Sequence, residues 1–304
     1  MGDIIFSNLT KLFSWIVFFV LLCVLFSLFA ASYPAIKHFG FHFLTSQAWD
    51  PVHNNFGALS AITGTLLTST LAIVIAVPAS IGIAIFISEI ASKKSARFIR
   101  LMIDLMAGIP SIIYGMWGLL VLAPFLSNNV QPQISELVKD VPVLNILFEG
   151  PPLGIGIFTA GIILSIMIIP YIASTSVELF RSVPVVLKES AYGIGATRLE
   201  VVRHIVIPHV RQGVIGSMML GLGRALGETM AVTFVIGNSK TITSSLFMPG
   251  TTISATIANE FNEAQGTLYS SSLLELGVIL FLISFAVLAA ARLFLLTKKQ
   301  RESS

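Results

Sequence analysis

Two stretches hold side chains able to do chemistry in an otherwise apolar chain. In the run from Val214 to Ile236, Arg224 and Glu228 are charges four residues apart. Read as a helix, this run puts Ser217, Gly221, Arg224, Glu228 and Ala231 on one stripe, because steps of 4, 3, 4 and 3 residues return to the same face. A charge at the centre of a bilayer costs about 2.5–3.5 kcal/mol, and pairing across one helical turn lowers that cost. Two readings stand side by side. One is a structural ion pair that locks helices together. The other is an anion path, in which Arg224 supplies a fixed positive charge and planar donors suited to an oxyanion. On the second reading Glu228 moderates the attraction, as passage requires, and Ser217, Arg224 and Glu228 are the pathway candidates.

The other stretch, Glu189 to Pro208, is polar and amphipathic and carries Arg198 and Arg203, with Arg211 just beyond. Gly195 permits a turn between two short helices, and Pro208 is expected to end the second of them before the next apolar run. Such an elbow can project from a membrane into a groove on another protein. The plainer alternative is an amphipathic loop lying on the headgroups.

What must position these groups is a membrane-embedded scaffold. Of the 304 residues, 55% are hydrophobic and 11% charged, where soluble domains carry roughly 25% charged residues. Spanning helices need about 20 mostly apolar residues, and six segments qualify: 13–31, 62–87, 101–125, 153–172, 214–236 and 273–296. The first has a longer apolar core than a secretory signal, so it is expected to remain as an uncleaved helix. Lysine and arginine cluster at Lys11, at Lys93, Lys94, Arg97 and Arg100, across Arg181 to Arg211, and at Arg292, Lys298, Lys299 and Arg301. The alternate connections hold only Lys37, Lys139 and Lys240. By the positive-inside rule both termini face the cytoplasm. The chain therefore reads as an all-α polytopic membrane protein with six transmembrane helices. Residues 1–60 are the first helix and outer loop, 61–296 the transmembrane domain, and 297–304 a cytoplasmic tail.

The remaining features are weaker. Asp104, Gly108, Ser111, Gly115 and Gly118 form a second stripe, best suited to close helix approach, with Asp104 placed to cap or pair with Arg100. Pro78, Pro110 and Pro170 are kink candidates. The outer segment 257–263 could be a short interfacial helix. His38, His42 and His53 match no metal-site spacing, and the single Cys23 excludes a disulfide framework. No catalytic, metal or cofactor site is expected. Neither H-E-x-x-H nor G-x-S-x-G occurs, which argues against an intramembrane hydrolase. The basic residues lie between apolar spans, which points to membrane lipid rather than nucleic acid.

Glu189, Ala191, Gly195, Ile205 and Pro208 fit the pattern E-A-A-x3-G-x9-I-x-L-P of ATP-binding-cassette (ABC) importer permeases, with Ser190 for the second alanine and Ile207 for the leucine. Further stretches extend this likeness: Gly64-Thr65-Leu66, Ile109 to Gly115, Ile168 to Tyr171, Gly221 to Ala231, Asn259 to Phe261 and Glu275 to Gly277. Over about Trp49 to Arg292 the chain resembles the PstC-type permeases of phosphate-specific importers, of the MetI-like, binding-protein-dependent transport inner-membrane component family. The resemblance implies a MetI-like core, a second permease (PstA-like), a cytoplasmic ATP-binding dimer (PstB-like) and an extracytoplasmic phosphate-binding protein (PstS-like). It also implies that Glu189, Ala191, Gly195, Ile205 and Pro208 couple to the ATPase. A permease for sulfate or molybdate would share the elbow. A secondary transporter would not need it. No G-x-x-x-x-G-K-[ST] loop occurs in this chain, so ATP is expected to act through a partner.

Overall fold

The structure, a computed structural model, describes residues 2–302, with side chains described for Asp3 and from Phe6 to Leu293. Lys298, Lys299, Arg301 and the expected tail from residue 297 lie outside the residues whose side chains are described. Among the described residues, six helices are long and apolar enough to cross a membrane. They are Phe6–Phe39, Leu59–Ile90, Ser111–Val138, Ile157–Arg181, Arg198–Leu226 and Thr267–Leu293. The number of spans agrees with the hydropathy reading, but several boundaries move for identifiable reasons.

The third span does not start at Leu101. An amphipathic helix, Lys93–Ala107, comes first, capped by the Ser92 hydroxyl accepting from the Ser95 amide. It buries Ala96 and Ile103 against the bundle and leaves Phe98, Leu101 and Leu105 exposed beside its basic residues, an arrangement suited to a membrane interface. Pro110 then does more than kink the chain. It lacks an amide hydrogen and pushes its predecessor out of helical geometry, so helix stops at Ala107 and restarts at Ser111. The stripe from Asp104 to Gly118 therefore falls on two separate helices. Arg100 lies 4.0 Å from Asp104 but makes its closer contact, 2.5 Å, with Glu178 at the end of the fourth span.

The fourth span begins at Ile157 rather than Leu153, after Gly154 and Gly156 with positive φ, and continues past Ile172 to Arg181. Its polar second half stays helical because its hydroxyls bond back to the helix: Thr175 Oγ1 donates to the Tyr171 carbonyl at 2.9 Å. This span is the most buried of the six and packs against the second, third and fifth. Helix also runs through Pro78 and Pro170.

The fifth span differs most from expectation. Pro208 does not end a helix. The chain is helical from Arg198 to Leu226, and a π-helical turn at Val202–Val206 directly precedes Pro208. The wider turn accommodates a ring that cannot donate to the ladder. The interruption comes later, at Gly227, Glu228 and Thr229, before a half-helix Met230–Val235. The segment expected as an interfacial helix is instead Ile253–Glu260. Ile253, Ala255 and Thr256 are buried, and the Thr65 hydroxyl of the second span accepts from the Ile253 amide at 3.0 Å.

The far end of the bundle from the basic helix is closed by a polar cluster centred on Glu260. One carboxylate oxygen accepts from Trp49 Nε1 and from the Tyr269 hydroxyl (2.8 Å), and the other pairs with Lys240 Nζ at 2.6 Å. Lys240 also donates to Thr256 and lies 5.1 Å above the Trp49 ring. Burial holds its ammonium below the usual lysine range, with Glu260 pulling the other way. Trp49 itself sits in a two-stranded hairpin, Trp49–Asp50 with Asn55–Phe56.

The third span and the half-helix meet at Gly115. A β-carbon there would lie 3.0 Å from the Ala231 α-carbon and 2.8 Å from the Phe234 ring, so only hydrogen fits. Gly115→Leu is expected to destabilise the purified protein by about 1–3 kcal/mol through overpacking, measured as thermal unfolding in detergent. Unchanged stability would show that the two helices do not pack this way.

Candidate functional site

The interruption at Gly227–Thr229 organises the candidate pathway. Irregular backbone at membrane depth is tolerated where protein buries it or where it lines a cavity. Here Glu228 lies in the gap, its amide reaching back to the Ala225 carbonyl at 3.4 Å and its carboxylate accepting from the Ala231 amide at 3.4 Å. Arg224, one turn earlier, is exposed. Arg224 and Glu228 form no salt bridge in this structure. The guanidinium instead lies over the Tyr171 ring, its central carbon 4.3 Å from the ring centroid. The intrahelical ion pair anticipated from their spacing needs unbroken helix through position 228, and the helix ends at Leu226.

Two tyrosines connect this region to the other break. The Tyr171 hydroxyl donates to the Ala107 carbonyl at 3.1 Å, and the Tyr114 hydroxyl to the Met106 carbonyl at 2.9 Å. The last carbonyls of a helix have no partner in the regular ladder; where Lys93–Ala107 stops, the tyrosines serve Ala107 and Met106, while the Gly108 and Ile109 amides bond back to Asp104, Leu105 and Met106. Tyr171 thus holds a helix end with its hydroxyl and a guanidinium with its face. Sequence reasoning quoted both tyrosines in motifs but gave neither a role. The signal was there, since a tyrosine hydroxyl inside an apolar span needs a polar partner.

Ser217 sits elsewhere. It is buried two turns before Arg224, donates to the Val214 carbonyl at 2.7 Å and lies 3.3 Å from the Ser176 hydroxyl of the fourth span. The structure brings Arg224 and Glu228 to one interruption and leaves Ser217 in a helix–helix contact.

The elbow residues gather at the end of the bundle that also carries the amphipathic helix. Its first helix, Val185–Gly193, buries Ala191 and exposes Glu189. Gly195 has φ +90°, a conformation glycine adopts without steric cost. The Ala196 amide then bonds back to the Ala191 carbonyl at 3.0 Å. Thr197 restarts helix with a capping box, its amide donating to Glu200 at 2.7 Å. Ile205 packs against the adjacent core, while Pro208 is exposed in the first α-helical turn after the π turn. The outward surface carries a run of apolar side chains, Val185, Val186, Tyr192, Ile194 and Leu199, all exposed (Ile194 at 88%), interspersed with the exposed charges Glu189, Arg198 and Glu200. Sequence reading noted the basic residues of this stretch but missed the apolar knob, which exists only once the Gly195 turn sets the two helices together. An apolar patch this exposed suits contact with another protein or with a membrane surface.

Residues 76–297 match the family described as "Binding-protein-dependent transport system inner membrane component". The chain is 57% identical over 294 residues to the phosphate transport system permease protein PstC of Mesorhizobium japonicum, covering 97% of this chain and 90% of that protein. It is 51% identical over 297 residues to the protein of the same name from Haemophilus influenzae, covering 98% and 94%. A crystal structure of a bacterial ABC transporter involved in alginate import superposes with a TM-score of 0.59 at 19% identity, covering 92% of this chain and 95% of that one. At that identity the likeness concerns the fold alone.

A double-mutant cycle on Tyr171→Leu and Arg224→Gln, read by thermal unfolding in detergent, is expected to give a coupling energy of about 0.5–1 kcal/mol. Strict additivity would mean that the ring and the guanidinium do not interact.

Proposed function

This chain belongs to the binding-protein-dependent transport system inner membrane component family, and we propose that it forms half of the translocation pathway of an ATP-driven phosphate importer. The substrate assignment rests on one observation: identity of 57% and 51% to phosphate transport permeases along nearly the whole chain. The alternative, a permease for sulfate or molybdate, has no comparable support.

The proposed orientation puts the elbow and the basic helix Lys93–Ala107 at the cytoplasmic face, because the lysine and arginine clusters lie there. The Glu260 cluster is then outside. The other half of the channel comes from a second, PstA-like permease. A PstB-like ATPase dimer seats the apolar knob around Gly195, and a PstS-like binding protein delivers phosphate at the outer end. The knob supports the docking reading over a loop lying on headgroups, because it is formed by two helices fixed at a capped turn.

Transport follows by alternating access. Closure of the ATPase dimer moves the elbow. The second elbow helix continues through the π turn Val202–Val206 into the fifth span without a break in helix, so its movement is delivered to the interruption at Gly227–Thr229, beside Arg224. The guanidinium gives phosphate a positive charge and planar donors, and Glu228 keeps the attraction weak enough for release. Ser217 braces the fifth span against the fourth.

Two outcomes are expected. In proteoliposomes containing this chain, its permease and ATPase partners and the binding protein, labelled phosphate enters only with ATP available to the ATPase, and sulfate and molybdate do not. Arg224→Gln should lower uptake by roughly 100-fold or more while the complex still assembles, as expected for loss of a charged group that contacts substrate. Lost assembly would support a structural role instead. ATP-dependent uptake of another oxyanion would overturn the substrate, and phosphate uptake without the ATPase would overturn the importer. Separately, Gly195→Trp should release the ATPase subunit during copurification, because its φ of +90° is strained for any side chain. Undiminished copurification would count against the elbow as the docking element.

A further inference from the structure

We propose that the ion pair between Lys188 and Glu89 is the mechanical link through which elbow movement reaches the second and fourth spans. The inference rests on the elbow reading above and adds a positioning pair to it. Lys188 Nζ lies 2.6 Å from Glu89 Oε1, and the two side chains are only 16% and 8% exposed. The same ammonium donates to the Phe180 carbonyl at 3.4 Å. Lys188 belongs to the first elbow helix, Glu89 to the π turn Phe86–Ile90 that ends the second span, and Phe180 to the last turn of the fourth. One ammonium therefore ties three elements together at one point.

The choice of an ion pair is itself informative. Desolvating two charges cancels much of their attraction, and apolar residues of similar size would hold helices together at least as well. What a buried pair adds is direction. It resists sliding and rotation at one fixed point, and losing either partner leaves the other charge buried and alone. The nearby Arg100–Glu178 pair is far more exposed, at 38% and 56%, so solvent screens it and it cannot serve in the same way. Apart from Lys188 and the buried Ala191, the first elbow helix is mostly outward-facing. Movement imposed on its apolar knob enters the bundle along the fifth span through the chain and, besides the apolar packing of Ala191 in the core it shares with Ile87 and Phe180, at one fixed, directional point in the second and fourth spans through Lys188.

The test uses the full complex in proteoliposomes and reads phosphate moved per ATP hydrolysed. It compares wild type with Lys188→Gln, Glu89→Gln and the swapped pair Glu89→Lys with Lys188→Glu. The single variants are expected to keep the ATPase bound and hydrolysing while the ratio falls at least about tenfold, as breaking a buried pair from one side allows. The swapped pair should regain most of it. A purely structural role would lower the amount of complex and leave the ratio of what remains unchanged, and that result overturns the link. Where a single variant does not assemble, the swapped pair decides. Assembly with a restored ratio supports the link, and a swap that stays uncoupled or unassembled overturns it. Failure of the elbow reading is seen separately, as ATPase retention by Gly195→Trp.

Discussion

A bilayer offers no hydrogen bonds to a peptide group, so every break in a spanning helix must find its partners within the protein. This constraint orders the molecule. Two breaks, at Gly108–Pro110 before the third span and at Gly227–Thr229 after the fifth, share one neighbourhood. The Tyr114 and Tyr171 hydroxyls donate to the Met106 and Ala107 carbonyls at the first, Arg224 lies on the Tyr171 ring, and Gly115 beyond the first break packs on Ala231 beyond the second. The fourth span, carrying Tyr171 and buried for most of its length, is the post against which both are assembled.

How much of this could be read from residues alone depended on the kind of signal. Span number, fold class and the charge alternation between ends were legible because hydropathy and lysine or arginine placement act over whole segments. The breaks were not, because an apolar window does not register two residues such as Gly227 and Thr229 whose weak helix propensity matters only at one place. That is why a continuous stripe through Ser217, Arg224 and Glu228 looked plausible, although Ser217 is sealed against Ser176 and Glu228 lies past the helix end. Pro110 was visible and underestimated, and Pro208 was visible and overestimated. A proline's effect depends on whether its neighbours can widen the turn, as Val202–Val206 do. Lys188 and Glu89 are 99 residues apart, and no local pattern joins them.

The two ends of the protein are built from different materials, in keeping with different tasks. At the Glu260 end, one carboxylate gathers Trp49, Lys240 and Tyr269 from three separate segments. Such a fully engaged polar cluster rigidifies what it joins. At the elbow end apolar side chains are left uncovered beside exposed charges such as Glu189 and Arg198, and among the described residues there only the Lys188–Glu89 pair is buried, between elbow and bundle. One end holds its own loops in register, while the other leaves apolar side chains uncovered.

The π turn at Val202–Val206 also sets an angle. Each helical residue advances the chain by about 100° around the axis, and a π turn takes up one residue more than a regular turn would. Between the Gly195 turn and Arg224 the helix has no other joint. The azimuth at which the guanidinium leaves the fifth span, and so its alignment over the Tyr171 ring, is indexed to the orientation of the elbow. Within this stretch the addition or removal of a single residue is a rotation rather than a change of length. A gasket of matched lengths would tolerate it, but a keyed shaft does not. The residue count from elbow to arginine thus fixes where Arg224 meets Tyr171, as much as any side chain along the way.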